Sequence, residues 1–77
     1  MRVRLELLVE PFQEGGPGPH VTAALDALEG AGLAVELGPF ASTADGDLAE
    51  VSAALAAAVV ASMSAGATRI AVQVIAR

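Results

Sequence analysis

The sequence predicts an α+β fold: a ferredoxin-like βαββαβ sandwich in which one antiparallel sheet, with strand order 4-1-3-2, carries two helices on one face. Three observations lead to this fold. Four segments alternate between apolar and other residues with the period of two that strands have. Two segments between them repeat apolar residues at helical spacing. The 77 residues suffice for one such domain, residues 1–77, and no more.

The first part of the chain predicts a strand, a loop and a helix. Residues 3–9 alternate, and Pro11 ends the strand because proline cannot continue a ladder. A loop rich in glycine and proline follows. Pro19 suits the first turn of a helix, and Gly32 suits its end. His20 lies in that first turn, where we expect a surface or capping residue.

The second part predicts two strands, a helix and a last strand. Residues 33–37 alternate, and residues 40–44 form a short third strand that Asp45-Gly46 closes. Asp47 begins a capping-box spacing for the second helix. The apolar stripe of this helix consists of Val51, Leu55, Val59 and Ser62, with Ala58 beside it. Residues 68–76 alternate again and form the fourth strand.

Composition and charge exclude several functions. The chain has no cysteine and one histidine, so disulfides, thiolate metal sites and a zinc site are not expected. The net charge of −5 argues against nucleic acid and anionic membranes as partners and suits a small cation. Neither a signal peptide nor a segment of membrane-spanning length is recognisable. We therefore expect a cytoplasmic protein.

The uncovered face of the predicted sheet favours self-association. A domain this small has a modest core, and without disulfides or metals self-association is the remaining support. The face mixes apolar and charged residues: Leu8, Ala34, Ala71 and Ile75 among Arg4, Glu6, Glu36 and Gln73. We favour a subunit interface with matched arginine–glutamate pairs over a solvated face with scattered apolar residues.

No constellation of catalytic residues is apparent. His20 has no serine or aspartate partner at a recognisable spacing, and the acids suit helix ends and strand surfaces. A small hydrolase that depends on His20 has little support, and we expect no enzyme and no cofactor. The glycine-rich loop lacks the lysine and hydroxyl of a phosphate-binding loop.

Both aromatic residues converge on one edge of the predicted sheet. Phe12 follows the first strand and Phe40 begins the third, and these strand ends meet in this topology. A flat heteroaromatic ligand could stack on them. The alternative is that each ring packs into one end of the core.

Two motifs resemble the thiamine-binding YkoF-like family, long described as a domain of unknown function. They are ELGPFASTADGD at residues 36–47 and SAGATRI at residues 64–70. Val9-Glu10-Pro11 and Gly32-Leu33 also match, so the likeness covers nearly the whole chain. Pro19-His20 departs from the family, which usually has a serine or threonine near the start of the first helix.

The resemblance implies a binding protein for thiamine or its hydroxymethylpyrimidine part, without catalysis, that assembles through its sheets into a dimer or tetramer. It implies that Ser42 bonds the pyrimidine edge and that Thr43 supplies a second hydroxyl. Glu36 would meet the amino group or the cationic ring, although an interface salt bridge explains it equally well. With Phe12 and Phe40, these residues form the predicted ligand site.

One alternative function stays open at this point. The domain would then be a structural or regulatory oligomeric module with a different ligand or a protein partner. The sequence does not decide the ligand, the choice between dimer and tetramer, the pathway, or whether the pocket lies within one chain or between two.

Overall fold

A computed structural model describes residues 1–39 and 41–77 of the chain, so Phe40 lies outside the described residues. Six elements follow one another: β1 (Arg2–Glu10), α1 (Pro19–Gly30), β2 (Val35–Leu37), β3 (Ser42–Asp47), α2 (Leu48–Ser64) and β4 (Arg69–Ala76). The strands form one antiparallel sheet in the order β2-β3-β1-β4. The predicted fold and strand order are therefore confirmed.

The core lies between the helices and one face of the sheet. β1 is central, and its inward residue Leu5 lies opposite Ala44 of β3 and Val74 of β4. Every second residue of β1 is buried, as the alternation predicted. The buried apolar residues are Val3, Leu5, Leu7, Val9, Ala24, Leu28, Leu33, Ala44, Val51, Ala54 and Ala58. The uncovered side of the sheet is called the open face below.

Helix boundaries follow the capping residues of the sequence. The Asp47 carboxylate accepts a hydrogen bond from the Ala49 N–H at 3.2 Å, which caps the start of α2. The amino terminus and this N–H hold the pKa of Asp47 below its ordinary value. Gly32 and Gly66 follow the two helices with φ of +94° and +110°. This left-handed conformation, which favours glycine, ends each helix.

β3 differs from its prediction at both ends. We expected a strand over residues 40–44 closed by Asp45-Gly46, but the strand runs over Ser42–Asp47 and Asp45-Gly46 lies inside it. The Arg4 guanidinium donates to both Asp45 carboxylate oxygens at 3.4 Å, and this bond lowers the pKa of Asp45. Pairing with β1 thus overrides the turn tendency of the dipeptide.

Close packing explains the glycine in this strand. A Cβ added to Gly46 would lie 2.9 Å from the Val51 Cγ2 and 3.1 Å from the Leu33 Cδ2. Val51 is fully buried and its branched side chain has little freedom to move. Gly46 therefore lets the first turn of α2 lie against the sheet.

The buried stripe of α2 is narrower and smaller than predicted. It consists of Val51, Ala54, Ala58 and Ser62. Leu55 and Val59 of the predicted stripe are half-buried, and Leu55 packs against the core from its side. Small alanine side chains allow the extensive packing of α1 against α2. In the described ranges 1–39 and 41–77, no helix has the length and apolar character that a membrane span requires.

Candidate functional site

A cavity of about 490 Å³ opens at one edge of the sheet. Its wall consists of the end of β1, the loop of residues 11–18, one side of α1 and the connection from β2 to β3. This volume lies in the roughly 300–1,000 Å³ range of small-molecule sites. The strand ends that the sequence predicted to converge thus enclose a space of suitable size.

The loop between β1 and α1 forms the mouth of this cavity. Pro11 follows the last residue of β1, and Pro19 begins α1. Within the loop, Gly18 lies against the side chain of Gln13: an added Cβ would come within 2.0 Å of the Gln13 Oε1. The Gln13 side chain thus lies directly against Gly18, and the two ends of the loop are close together.

His20, at the start of α1, is buried and holds the first residue of this loop by a hydrogen bond. It is 3% exposed, and its Nε2–H donates to the Pro11 carbonyl oxygen at 2.6 Å. The expectation of a surface or capping residue is therefore wrong. The loop folds back over the first turn of α1, which buries the imidazole beneath the loop's own beginning. Pro11 and His20 are nine residues apart and joined by an irregular loop. Such a contact leaves no repeating pattern in the sequence from which it could be predicted.

The structure places two predicted ligand residues at the cavity. Ser42 begins β3, is 7% exposed, and lines the cavity beside Leu37, its partner in the sheet. Phe12 lies at the mouth with 84% of its surface exposed. The alternative in which this ring packs into the core is wrong. A ring this exposed is available to cover a ligand.

Two other predicted residues lie on the open face, away from the cavity. Glu36 pairs with Thr43 across β2 and β3, and Thr43 pairs with Glu6 of β1. Successive residues of a strand point to opposite faces, so Thr43 cannot share the face of Ser42. The structure therefore does not bring Glu36 and Thr43 to the cavity. The predicted role of Phe40 lies outside the described residues.

Glu10 is a cavity residue that the sequence reasoning missed. It ends β1 and is the acidic residue among the described lining residues. Its carboxylate forms an ion pair with the Arg69 guanidinium of β4. Its position directly before Pro11, at the predicted edge, was the available signal. A charged residue at a strand end is usually a solvated one, so this signal was weak.

The cavity offers mainly apolar walls and one hydroxyl, that of Ser42. Glu10 contributes the end of β1 to the lining, and its carboxylate pairs with Arg69 of β4. In the part of the chain that the structure describes, no group of three or more histidines or acids is placed to hold a metal ion. The arrangement suits a small, partly apolar ligand with a polar edge.

Comparison with known families and structures agrees with this architecture. The family described as "Thiamine-binding protein" matches residues 5–76. No curated protein matches the chain. A domain of unknown function (DUF77) from Bacillus cereus is similar in structure, with a TM-score of 0.74 and 22% identity over 99% of this chain and 76% of that one.

Two further solved structures share the fold. A hypothetical protein from Methanocaldococcus jannascii has a TM-score of 0.71 and 21% identity, and the match covers 96% of this chain and 76% of that one. A Thermotoga maritima protein, described as a proposed thiamine biosynthesis/salvage protein, has a TM-score of 0.59 and 20% identity, over 96% and 80% of the two chains. At these identities the similarity establishes the common fold.

Proposed function

Because the chain belongs to the thiamine-binding protein family, we propose that it is a non-enzymatic, cytoplasmic binding protein for thiamine or its hydroxymethylpyrimidine part. The observation that carries the proposal is the cavity at the sheet edge, which combines apolar walls with the Ser42 hydroxyl. Thiamine joins a flat aminopyrimidine to a cationic thiazolium ring; the cavity suits the aminopyrimidine, and the net charge of −5 suits the cation.

Apolar burial and stacking contribute most of the proposed affinity. Glu10 already has Arg69 as a partner in an exposed ion pair, and such pairs contribute only about 0–1 kcal/mol. Burial of apolar surface contributes about 25 cal/mol per Å², and the Phe12 ring adds a stacking surface. The net charge of −5 favours the approach of a cation.

The Ser42 hydroxyl gives the pyrimidine its orientation in this proposal. A hydroxyl both donates and accepts, which suits the alternating ring nitrogens and amino group of an aminopyrimidine. Ser42 is nearly buried, so a hydrogen bond formed there is shielded from competing water. This residue therefore connects the family resemblance with the observed cavity.

A Ser42→Ala variant is expected to bind thiamine about fivefold more weakly, since one hydrogen bond contributes about 1 kcal/mol. The variant should keep the assembly state of the unmodified protein, because Ser42 faces the cavity. Isothermal calorimetry measures the affinity, and light scattering measures the mass. Thr43→Val is the matched control: it removes the neighbouring hydroxyl, which lies on the open face, and should leave the affinity unchanged.

Two results would contradict this proposal. Absence of both heat and a thermal shift with thiamine and with hydroxymethylpyrimidine would remove the proposed function. If Thr43→Val binds thiamine more weakly and Ser42→Ala does not, the ligand binds on the open face, where Glu36 also lies, and the cavity is not the site.

The proposed binding protein works as a homo-oligomer through its open face. Leu8 and Ile75 expose apolar surface on this face, and Arg4 and Glu36 add charges of both signs. A second copy would cover the apolar residues and pair the charges. In this arrangement Glu36 serves the interface rather than the ligand.

The alternative is a structural or regulatory module with another ligand or a protein partner. The mixed apolar and charged open face favours it, since this face would suit a partner as well as a second copy. Such a module would form a stable assembly whose melting temperature does not respond to thiamine.

A further inference from the structure

The loop at the mouth of the cavity depends on a single hydrogen bond for its position. Residues 11–17 are all exposed, so their side chains do not pack into the core. Among the described residues, one hydrogen bond joins this stretch to another part of the chain: the His20 Nε2–H donates to the Pro11 carbonyl oxygen at 2.6 Å. His20 is therefore the residue that decides where the loop begins.

His20 occupies a place on α1 that packing alone would give to an apolar residue. The buried residues of this helix are His20, Ala24 and Leu28, four residues apart on one face. Ala24 and Leu28 belong to the hydrophobic core. A buried polar group needs a hydrogen-bond partner, and the Pro11 carbonyl is that partner. The imidazole thus donates a hydrogen bond to the loop, which a leucine in the same place could not do.

The imidazole has little room to move. A Cβ added to Gly18, which is itself buried, would lie 2.7 Å from the His20 Cε1. The adjacent ring atom, Nε2, is the one that bonds to Pro11. The ring is therefore confined between the Gly18 backbone and the Pro11 carbonyl, and it holds that carbonyl in a defined direction.

The hydrogen bond acts directly on Phe12. The Pro11 carbonyl belongs to the planar peptide unit that joins Pro11 to Phe12, and the proline ring restricts rotation on its other side. Phe12 lines the cavity, yet it is 84% exposed, so packing does not hold its ring in place. The orientation of the preceding peptide unit therefore determines where the ring lies.

We propose that His20 is a positioning residue of the ligand site, which holds Phe12 at the cavity mouth before a ligand arrives. This inference rests on the proposed function, in which the Phe12 ring covers the ligand. A loop that is already ordered in the free protein lowers the entropy cost of binding. His20 is not among the described lining residues, so it acts through Phe12 and not by contact with the ligand.

A fluorescent reporter tests this role without any ligand. The chain has no tryptophan or tyrosine, so a Phe12→Trp variant carries a single indole, at the mouth. On this background His20→Leu should increase the rapid motion of the indole, which time-resolved fluorescence shows as a lower residual anisotropy. Leucine suits the buried position but cannot donate. His20→Gln, whose amide can donate to the Pro11 carbonyl, should restore the anisotropy.

Ser62→Ala is the matched control for the loss of a buried hydrogen bond. It removes the bond from the Ser62 hydroxyl to the Val59 carbonyl at 3.3 Å, within α2. The motion of the indole should not change in this variant. Circular dichroism shows whether each variant is folded. His20→Met, which is also apolar and more adaptable in shape, gives the same comparison should the leucine variant not fold.

Thiamine binding tests the consequence for the site. With Phe12 present, His20→Leu should bind thiamine about fivefold more weakly, the factor that the ordering of one side chain costs. His20→Gln and Ser62→Ala should bind it as the unmodified protein does. In a Phe12→Ala background, His20→Leu should have no further effect, because the ring through which it acts is gone.

Three results would overturn the proposal: unchanged indole motion in His20→Leu, no recovery in His20→Gln, or the same loss of affinity with and without the Phe12 ring. If the unmodified protein does not bind thiamine, the proposed function fails. The indole motion in the free protein then decides by itself whether His20 positions residue 12.

Discussion

A Val21→Trp variant is expected to lose at least tenfold in thiamine affinity while it remains folded. Val21 is half-buried on α1, and its side chain lines the cavity. An indole in this place would occupy space that the aminopyrimidine needs. Valine and tryptophan have similar helix propensities, so α1 should tolerate the change. A tenfold loss corresponds to about 1.4 kcal/mol of binding free energy, which calorimetry resolves.

Val60→Trp provides the matched control for this variant. Val60 also lies on a helix, but it is exposed on α2 and belongs to no part of the described cavity lining. The Val60→Trp variant should bind thiamine with the same affinity as the unmodified protein. If Val21→Trp folds, with an unchanged circular dichroism spectrum, and still binds thiamine normally, the ligand does not occupy this cavity.

A Leu5→Ala variant is expected to lose about 2–5 kcal/mol of unfolding free energy. Leu5 is 0% exposed and lies at the centre of the sheet, between β3 and β4. Typical stabilities of about 0.05–0.15 kcal/mol per residue give a chain of this length about 4–12 kcal/mol in total. The variant therefore loses a large share of its stability, and urea denaturation should show an earlier midpoint.

Leu48→Ala is the control for the loss of a leucine. Leu48 is the first residue of α2 and is partly exposed, and alanine is a strong helix former. We expect a change below about 1 kcal/mol. Equal urea midpoints for the two variants would contradict the placement of β1 at the centre of the core.

The sequence predicts the fold well where the signals are local. β1 alternates along its whole length, and Asp47 caps α2 through a residue two positions away. Gly32 and Gly66 end the helices through their own left-handed backbone conformation, which is also a local property. These features together imply the element order, and the chirality of the connections then implies the order of strands.

The errors arise where distant parts of the chain decide the structure. Asp45-Gly46 has the composition of a turn, yet it pairs with Arg4 and Val3, about forty residues earlier in the chain. Gly46 reflects the close approach of Val51 rather than a change of direction. His20 is buried for the same kind of reason, since its partner Pro11 reaches it through an irregular loop.

The candidate site could be predicted only in part. Topology brings Ser42 and Phe12 to one edge, and the structure places both at the cavity. A family motif transfers positions but does not say which face of the sheet they occupy, so Thr43 and Glu36 were grouped with Ser42. Their part in ligand binding stays a prediction. Glu10 was missed because its one signal, the position directly before Pro11, is too weak to separate it from the solvated acids.

The proposed interface has a geometric consequence. The open face is the surface proposed for self-association, and the cavity opens at the edge where β1 ends. Ligand binding and assembly therefore use different surfaces of the chain and can be tested separately.

The central claim is that a thiamine-like ligand occupies the cavity between α1 and the sheet. Intermolecular NOEs in isotope-labelled protein saturated with thiamine test it most directly. We predict NOEs from the pyrimidine protons to the methyl groups of Val21 and Leu25, which line the cavity. NOEs to the methyl groups of Ile75, on the open face, without any to Val21 or Leu25, would contradict it.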